Sequence, residues 1–346
     1  MEIEEQSPKE NDISKNDTPI DTKTTSEGDK KRETSWPSVL FYIHLHTLGF
    51  YGLFAVLTSA SWLTIIFTFI LTALGILGAT AGAHRLWAHG AYNATTSLKV
   101  FLMLCQTLVG QGSIYNWVRL HRLHHEKFGQ PEDPYYSNRD FLRAHVYAQV
   151  LSRTADQEAL LAKIDMSDME EDKVVMFQKR FYWILFVVLH VLLPINTPLA
   201  DFGETLGNSI FVSFSLRYMI VSNICWLINS CHFIWGLDKN FRPADSNSVF
   251  FITKTYWPQY HYMLSNDYQC GEFGNYGVGF TTSMIRVFAA LDLATDLKTI
   301  TCAAVRNGLT ESVDTGSSVV DCIQKHARME MEAVPTNHYL NREKFM

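Results

Sequence analysis

Two runs without a single charged side chain, Val39 to Leu57 and Trp62 to Ala83, decide most of what this chain can fold into. They hold 19 and 22 residues, each close to the ~20 that a helix needs to cross the hydrocarbon core of a bilayer. The short turn Thr58 to Ser61 joins them, so the spacing predicts a helical hairpin. A second hairpin follows the charged stretch through Lys179 and Arg180. Phe181 to about Leu199 is apolar, Asp201 to Glu204 is a short acidic loop, and Ile210 to about Ser230 is apolar apart from Arg217, Asn223 and Asn229. Polar groups at membrane depth are costly, so these three are expected to face protein or a cavity. Lys30, Lys31 and Arg32 precede the first run, and Lys239 and Arg242 follow the last. The positive-inside rule then places both termini in the cytosol. Leu98 to Gly110 is apolar but too short to span, and reads as a helix along the interface or buried in the cytosolic part.

Outside these runs the chain of 346 residues is polar at both ends. Residues 1 to 35 are Lys, Asp, Glu, Ser and Thr with almost no large apolar side chain, a disordered tail by composition and without a signal-peptide stretch. After about residue 310 there is weak helical character, Ser317 to Met331, and then a polar tail. The net charge of −6 is spread out with no basic stripe, which argues against nucleic acid as a partner. The six cysteines form no CxxC pair and read as reduced, buried residues.

The chemistry-bearing residues are histidines. In His121-Arg122-Leu123-His124-His125 the first, fourth and fifth positions fall at about 0°, 300° and 400° around a helix, so three imidazoles share one arc. His84 and His89 form a second pair upstream. Five imidazoles in two tight clusters suit a transition metal such as Fe, Zn, Cu or Ni. His44, His46, His145, His190, His326 and His338 lack metal-like spacing. The expected fold is an all-α integral membrane protein: four transmembrane helices in two hairpins (about 39–57, 62–83, 181–199 and 210–230), with a helical cytosolic cap holding the histidine site.

HRLWAH at 84–89, HRLHH at 121–125, MEEDKVVMFQKRFY at 169–182 and EFGNYGVGFTTS at 272–283 together resemble the membrane acyl-CoA desaturases of the delta-9 (stearoyl-CoA) type, in particular their insect branch. The similarity runs from about residue 36 to 310, leaving 311–346 as a C-terminal tail. The resemblance implies two irons on a cytosolic cap in the endoplasmic reticulum membrane. It also implies a fatty acyl-CoA substrate, dioxygen as oxidant, and electrons from NADH through cytochrome b5 and its reductase. On the positions of this chain the implied metal residues are His84, His89, His121, His124, His125, His232 and His261, with Asn229 acting through a water. Trp117, Arg119, Lys127 and Arg139 are the candidates to contact substrate.

The chain also departs from that pattern. The third histidine box, His-Asn-Tyr-His-His in the family, here reads Pro258, Gln259, Tyr260, His261 and Tyr262. Two of its three imidazoles are gone. Asn229 stands three residues before His232 rather than four, displacing the register by about 100°. Leu120 replaces an Asp, and Asp133-Pro134-Tyr135-Tyr136 stands where Asp-Pro-His-Asn is usual. Two functions are compatible with this: an iron-dependent acyl-CoA desaturase of unsaturated fatty acid biosynthesis, or a catalytically impaired relative serving as a partner subunit or lipid-binding regulator.

Overall fold

The computed structural model describes residues 32–135, 141–231, 260–272 and 276–333. Four of its helices are long and apolar enough to cross a membrane: Trp36–Thr58, Trp62–Ala88, Lys173–Asp201 and Leu206–Ser230. Each overlaps a run expected from the sequence and extends past it. The second gains five residues, because its last part, Gly78–Ala88, is wound as a π-helix that carries on through the first histidine. The outward faces of the spans are large and apolar, with Phe50, Phe69 and Trp183 exposed at 62%, 72% and 73%. No soluble surface gathers so many large apolar groups, and lipid is the solvent that suits them.

Close backbone approach ties the hairpins to each other. A Cβ on Gly52 of the first span would lie 2.0 Å from the Phe211 carbonyl oxygen of the fourth, so glycine is required there, as is usual where membrane helices touch. At the hairpin-turn end the Ser61 amide donates to Glu204 Oε2 at 2.8 Å. Asn208 Nδ2 donates to Glu204 Oε1 at 2.9 Å and to the Ser59 carbonyl at 3.1 Å. Arg217 is fully buried and donates to the carbonyls of Leu108, His190 and Ser213 at 2.6, 2.9 and 3.0 Å. Asn223 meets His46 at 3.1 Å and Asn229 is buried, so all three intramembrane polar residues face protein.

At the other end a helical cap covers the spans. The short helix Thr96–Thr107 packs on the second span so tightly that a Cβ at Gly78 would sit 2.2 Å from the Gln106 amide nitrogen. The helix Ile114–Glu126 starts where Ser113 Oγ accepts from the Asn116 amide and Gln178 Oε1 accepts from the Ile114 amide at 2.8 Å. These two bonds satisfy amides that a helix start leaves unpaired. Leu102, Ile114, Val118, Val175 and Ile285, all fully buried, form the core beneath it.

Two boundaries expected from the sequence move. The domain limit near residue 310 falls inside the helix Cys302–Thr315, which pairs with Val319–Ala333. Ile323 and Ala327 of the second helix bury against Tyr260 and Met263, so residues 311–333 are part of the body rather than a tail. At the other end Arg32 is held by the carbonyls of Pro134, Leu151 and Ser152 at 2.9, 3.2 and 3.0 Å. The last residues of the expected tail are therefore ordered, while residues 1–31 lie outside the described residues.

Candidate metal centre

Four histidines from three parts of the chain, His84, His89, His121 and His261, bring one ring nitrogen each to within 4.8 Å of one another. His89 joins His84 through the π-helical winding. Five residues apart on an α-helix the two rings would diverge by about 140°, whereas a π-turn bonds residue i to i+5 and stacks them. The His89 amide indeed donates to the His84 carbonyl at 3.1 Å, and the ring centroids are 4.7 Å apart. Within the cage His89 Nε2 lies 2.9 Å from His121 Nε2, and His84 Nε2 lies 3.2 Å from His261 Nε2. His125 Nε2 approaches His261 Nε2 to 3.1 Å from the other side.

The outer nitrogens explain why the inner ones converge. His84 Nδ1 faces Glu272 Oε1 at 3.2 Å and His121 Nδ1 faces Asn229 Oδ1 at 2.8 Å. A carboxylate and an amide oxygen only accept, so both Nδ1 atoms carry the proton and both Nε2 atoms turn a lone pair inward. Burial, reinforced by the neighbouring imidazoles, holds His89, His121, His125 and His261 well below the ordinary histidine pKa. Neutral rings with lone pairs converging on one point, none of them offered a proton from a carboxylate there, are a donor set for a divalent cation.

Glu272 is the residue that sequence reasoning missed. Nothing in EFGNYGVGFTTS sets it apart, and it is 187 positions from its main partner. Its carboxylate takes Arg85 Nε at 2.6 Å and Arg85 Nη2 at 2.9 Å, all within the core. Burial opposes its charge, but the Arg85 guanidinium and the His84 contact hold the carboxyl well below the ordinary carboxylate range. Arg85 also reaches the Tyr268 carbonyl and Thr282 Oγ1 at 2.6 and 2.8 Å, which locks the pair to the rest of the cap.

Other candidates fall elsewhere. His124 does not join the four-histidine cage: its Nδ1 sits between both oxygens of Asp133 at 2.9 Å, and its Nε2 meets the Tyr262 hydroxyl at 3.1 Å. His124 lies about 60° from His121 on the helix, on the side away from His125, and its ring centroid is 5.8 Å from each of theirs. Tyr262 stacks on Phe128 with centroids 3.6 Å apart. Asn229 Oδ1 accepts from His121 Nδ1 at 2.8 Å and stands behind that ring. Trp117 stacks on His121 at 4.9 Å and 18°, so it walls the cage. Arg119 is half-buried beside the Tyr115 ring, and Lys127 pairs with Glu126 at 3.2 Å. His232, Arg139, Pro258 and Gln259 lie outside the described residues.

Fold and site together define a polytopic helical membrane protein with a histidine-lined, metal-type cage at one end of its bundle. No family model matches the chain. It is 38% identical over 288 residues to the acyl-CoA Delta-9 desaturase of Acheta domesticus, covering 82% of this chain and 80% of the relative. To the acyl-CoA Delta-12 desaturase of Tribolium castaneum it is 37% identical over 288 residues, covering 81% and 80%. To the stearoyl-CoA desaturase of Homo sapiens it is 35% identical over 281 residues, covering 80% and 77%. The chain belongs to the acyl-CoA desaturase family.

Proposed function

We propose that this protein introduces a cis double bond into a saturated fatty acyl-CoA, with dioxygen as oxidant. Electrons come from NADH through cytochrome b5 reductase and cytochrome b5, at the endoplasmic reticulum membrane with both termini cytosolic. The observation that carries the reading is the convergence of His84, His89, His121 and His261 in a chain of this family. In the balance of the reaction the acyl chain gives up two hydrogens, and dioxygen leaves as two waters after taking the remaining electrons from the donor. Iron bound to these imidazoles supplies the oxidising power that no side chain has.

The chain's own residues do the rest. His84, His89, His121 and His261 would hold the metal, with His125 on its open side. Glu272 and Asn229 fix two of those rings, and such outer partners tune both affinity and orientation. Trp117 closes one wall and keeps water from the face of His121. The domain runs from about residue 36 through 333, because the last helix pair buttresses the segment that carries His261. Arg32 and Arg153, the latter paired with Glu158, line a polar cleft beside Pro134 and Tyr135, and its two guanidinium groups suit the phosphates of the coenzyme.

One observation favours the second reading, a catalytically impaired relative acting as partner or lipid-binding regulator. The Tyr262 hydroxyl occupies His124 Nε2, so a second ion at that nitrogen would have to displace it. The discriminating experiment is to purify the protein under nitrogen, load it with ferrous salt, count iron and assay a saturated acyl-CoA. Bound iron with product formation supports the desaturase. Bound iron without product supports the impaired relative, and no iron at all overturns the metal assignment.

A further inference from the structure

A second concavity lies on the lipid side of the bundle, between the first, third and fourth spans, with a volume of about 430 Å³. That is within the range of ligand clefts, roughly 300 to 1,000 Å³. Its walls are the rings of Phe41, Tyr182, Trp183, Phe186 and Tyr218. The two tyrosine hydroxyls are already engaged by the loop that forms part of the lining: Tyr182 Oη accepts from the Gly112 amide at 2.9 Å, and Tyr218 Oη donates to the Gly110 carbonyl at 3.0 Å. Away from its rim the cleft is faced mainly by aromatic surface. Phe41 and Trp183 are 46% and 73% exposed at its edge.

The mouth has the opposite character. Lys179 lines it, two residues before the apolar stretch of the third span begins at Phe181 and therefore at the membrane boundary. Its ammonium is held 3.3 Å from the Tyr115 ring centroid, and no carboxylate pairs with it among the described residues. The nearby Glu170 is engaged by the Tyr115 hydroxyl at 2.9 Å. Asn116, exposed, and Ser113 add hydrogen-bonding groups at the same rim. An apolar slot under a fixed cation, opening onto lipid at headgroup level, is complementary to one kind of molecule.

We propose that this cleft binds an anionic phospholipid, one acyl chain lying against Trp183 and Phe186 and the phosphate meeting Lys179. The occupant comes from the surrounding leaflet rather than from water, because the open edge is formed by exposed apolar rings. This site is distinct from the histidine cage and does not depend on the catalytic reading.

The test uses the full chain in phosphatidylcholine nanodiscs, with brominated tails carried either by phosphatidic acid or by phosphatidylcholine at equal mole fraction. Bromine quenches tryptophan on contact, and Trp183 lines the slot. Quenching by the brominated phosphatidate is expected to be favoured about five-fold, the worth of one lysine at an anionic headgroup. The excess should vanish in Trp183→Phe, which removes the reporter, and in Lys179→Gln, which removes the charge from an exposed position. Equal quenching by both lipids, or an excess that survives Lys179→Gln, overturns the proposal. An equal excess from a brominated free fatty acid also overturns it, assigning the slot to a carboxylate instead.

Discussion

Replacing Glu272 with Met should remove metal from the cage even though Glu272 touches no ion. Three donors converge on this carboxylate, Arg85 Nε, Arg85 Nη2 and His84 Nδ1, at 2.6, 2.9 and 3.2 Å. Truncating one partner of a buried ion pair leaves an uncompensated charge and costs about 3 to 5 kcal/mol. Losing the acceptor behind a ligating imidazole costs ~10- to 100-fold in metal affinity. The two losses can be separated. In Arg85→Met with Glu272→Met the buried charge is gone from both sides, so thermal stability in detergent should rise above that of Glu272→Met, short of what the lost Arg85 bonds to Tyr268 and Thr282 contribute. His84 Nδ1 still lacks its acceptor, so the ring is free to turn and its tautomer is no longer fixed. Competition of the purified protein against a chelator for ferrous ion should then show the double variant still about 10-fold weaker or worse, although it melts above Glu272→Met. If affinity returns together with stability in the double variant, Glu272 serves only the fold, and its role in setting the His84 ring is wrong.

Other outcomes follow from the same geometry. His121→Ala should empty the cage, whereas Tyr262→Phe should leave metal content unchanged, because Tyr262 faces His124 and not the four converging nitrogens; parallel metal analysis of both variants checks this. Glu204→Ala should leave the Ser61 amide and Asn208 without their acceptor and cost about 1 to 3 kcal/mol, read as a lower melting temperature without loss of metal. Metal-free protein should lose stability as the pH falls below about 6.5. His89, His121, His125 and His261 resist protonation when folded, so the unfolded chain binds more protons there. Each contributes a slope of up to about 1.4 kcal/mol per pH unit. Melting curves that do not shift downward between neutral and mildly acidic pH would contradict buried, neutral rings.

The bundle was legible because a bilayer leaves so little choice: a charge-free run of the right length has to be a helix. The ends of the spans were less so. Nothing in the sequence marks Gly78–Ala88 as π-wound, since its glycines and alanines fit an α-helix equally well. The relation of His84 to His89 depends on that winding, and an α-helical reading would have put the two rings on different faces. The periodicity of the histidine helix is legible, but the partners that its three rings meet, Asp133 and Tyr262 for His124 and His261 for His125, are not. The second helix of the last pair, Val319–Ala333, is foreshadowed by the helical character of Ser317 to Met331, but its place in the body is not. Ile323 and Ala327 bury in one cluster with Tyr260 and Met263, some 60 positions upstream, as well as with Ile300, Ala304 and Val305, and a reading of local periodicity cannot bring the distant pair near.

Which ring each of the orienting groups serves is hidden for a more general reason, even for Asn229, which the sequence does single out. A ligand imidazole announces itself by type and spacing, but the acceptor behind it can be any carboxylate or amide that the fold delivers to the right nitrogen. Asp133 serves His124 from nine positions away, Asn229 serves His121 from 108, and Glu272 serves His84 from 188. Each is short, buried and chemically unremarkable in its own stretch of chain. Their common property is positional: each meets an Nδ1 and leaves the Nε2 of that ring pointing elsewhere. For His84 and His121 that direction is the cage, and for His124 it is Tyr262. The same device thus builds a converging pair in one place and a closed pocket in the other, and the difference between them lies in the residue that Nε2 finds.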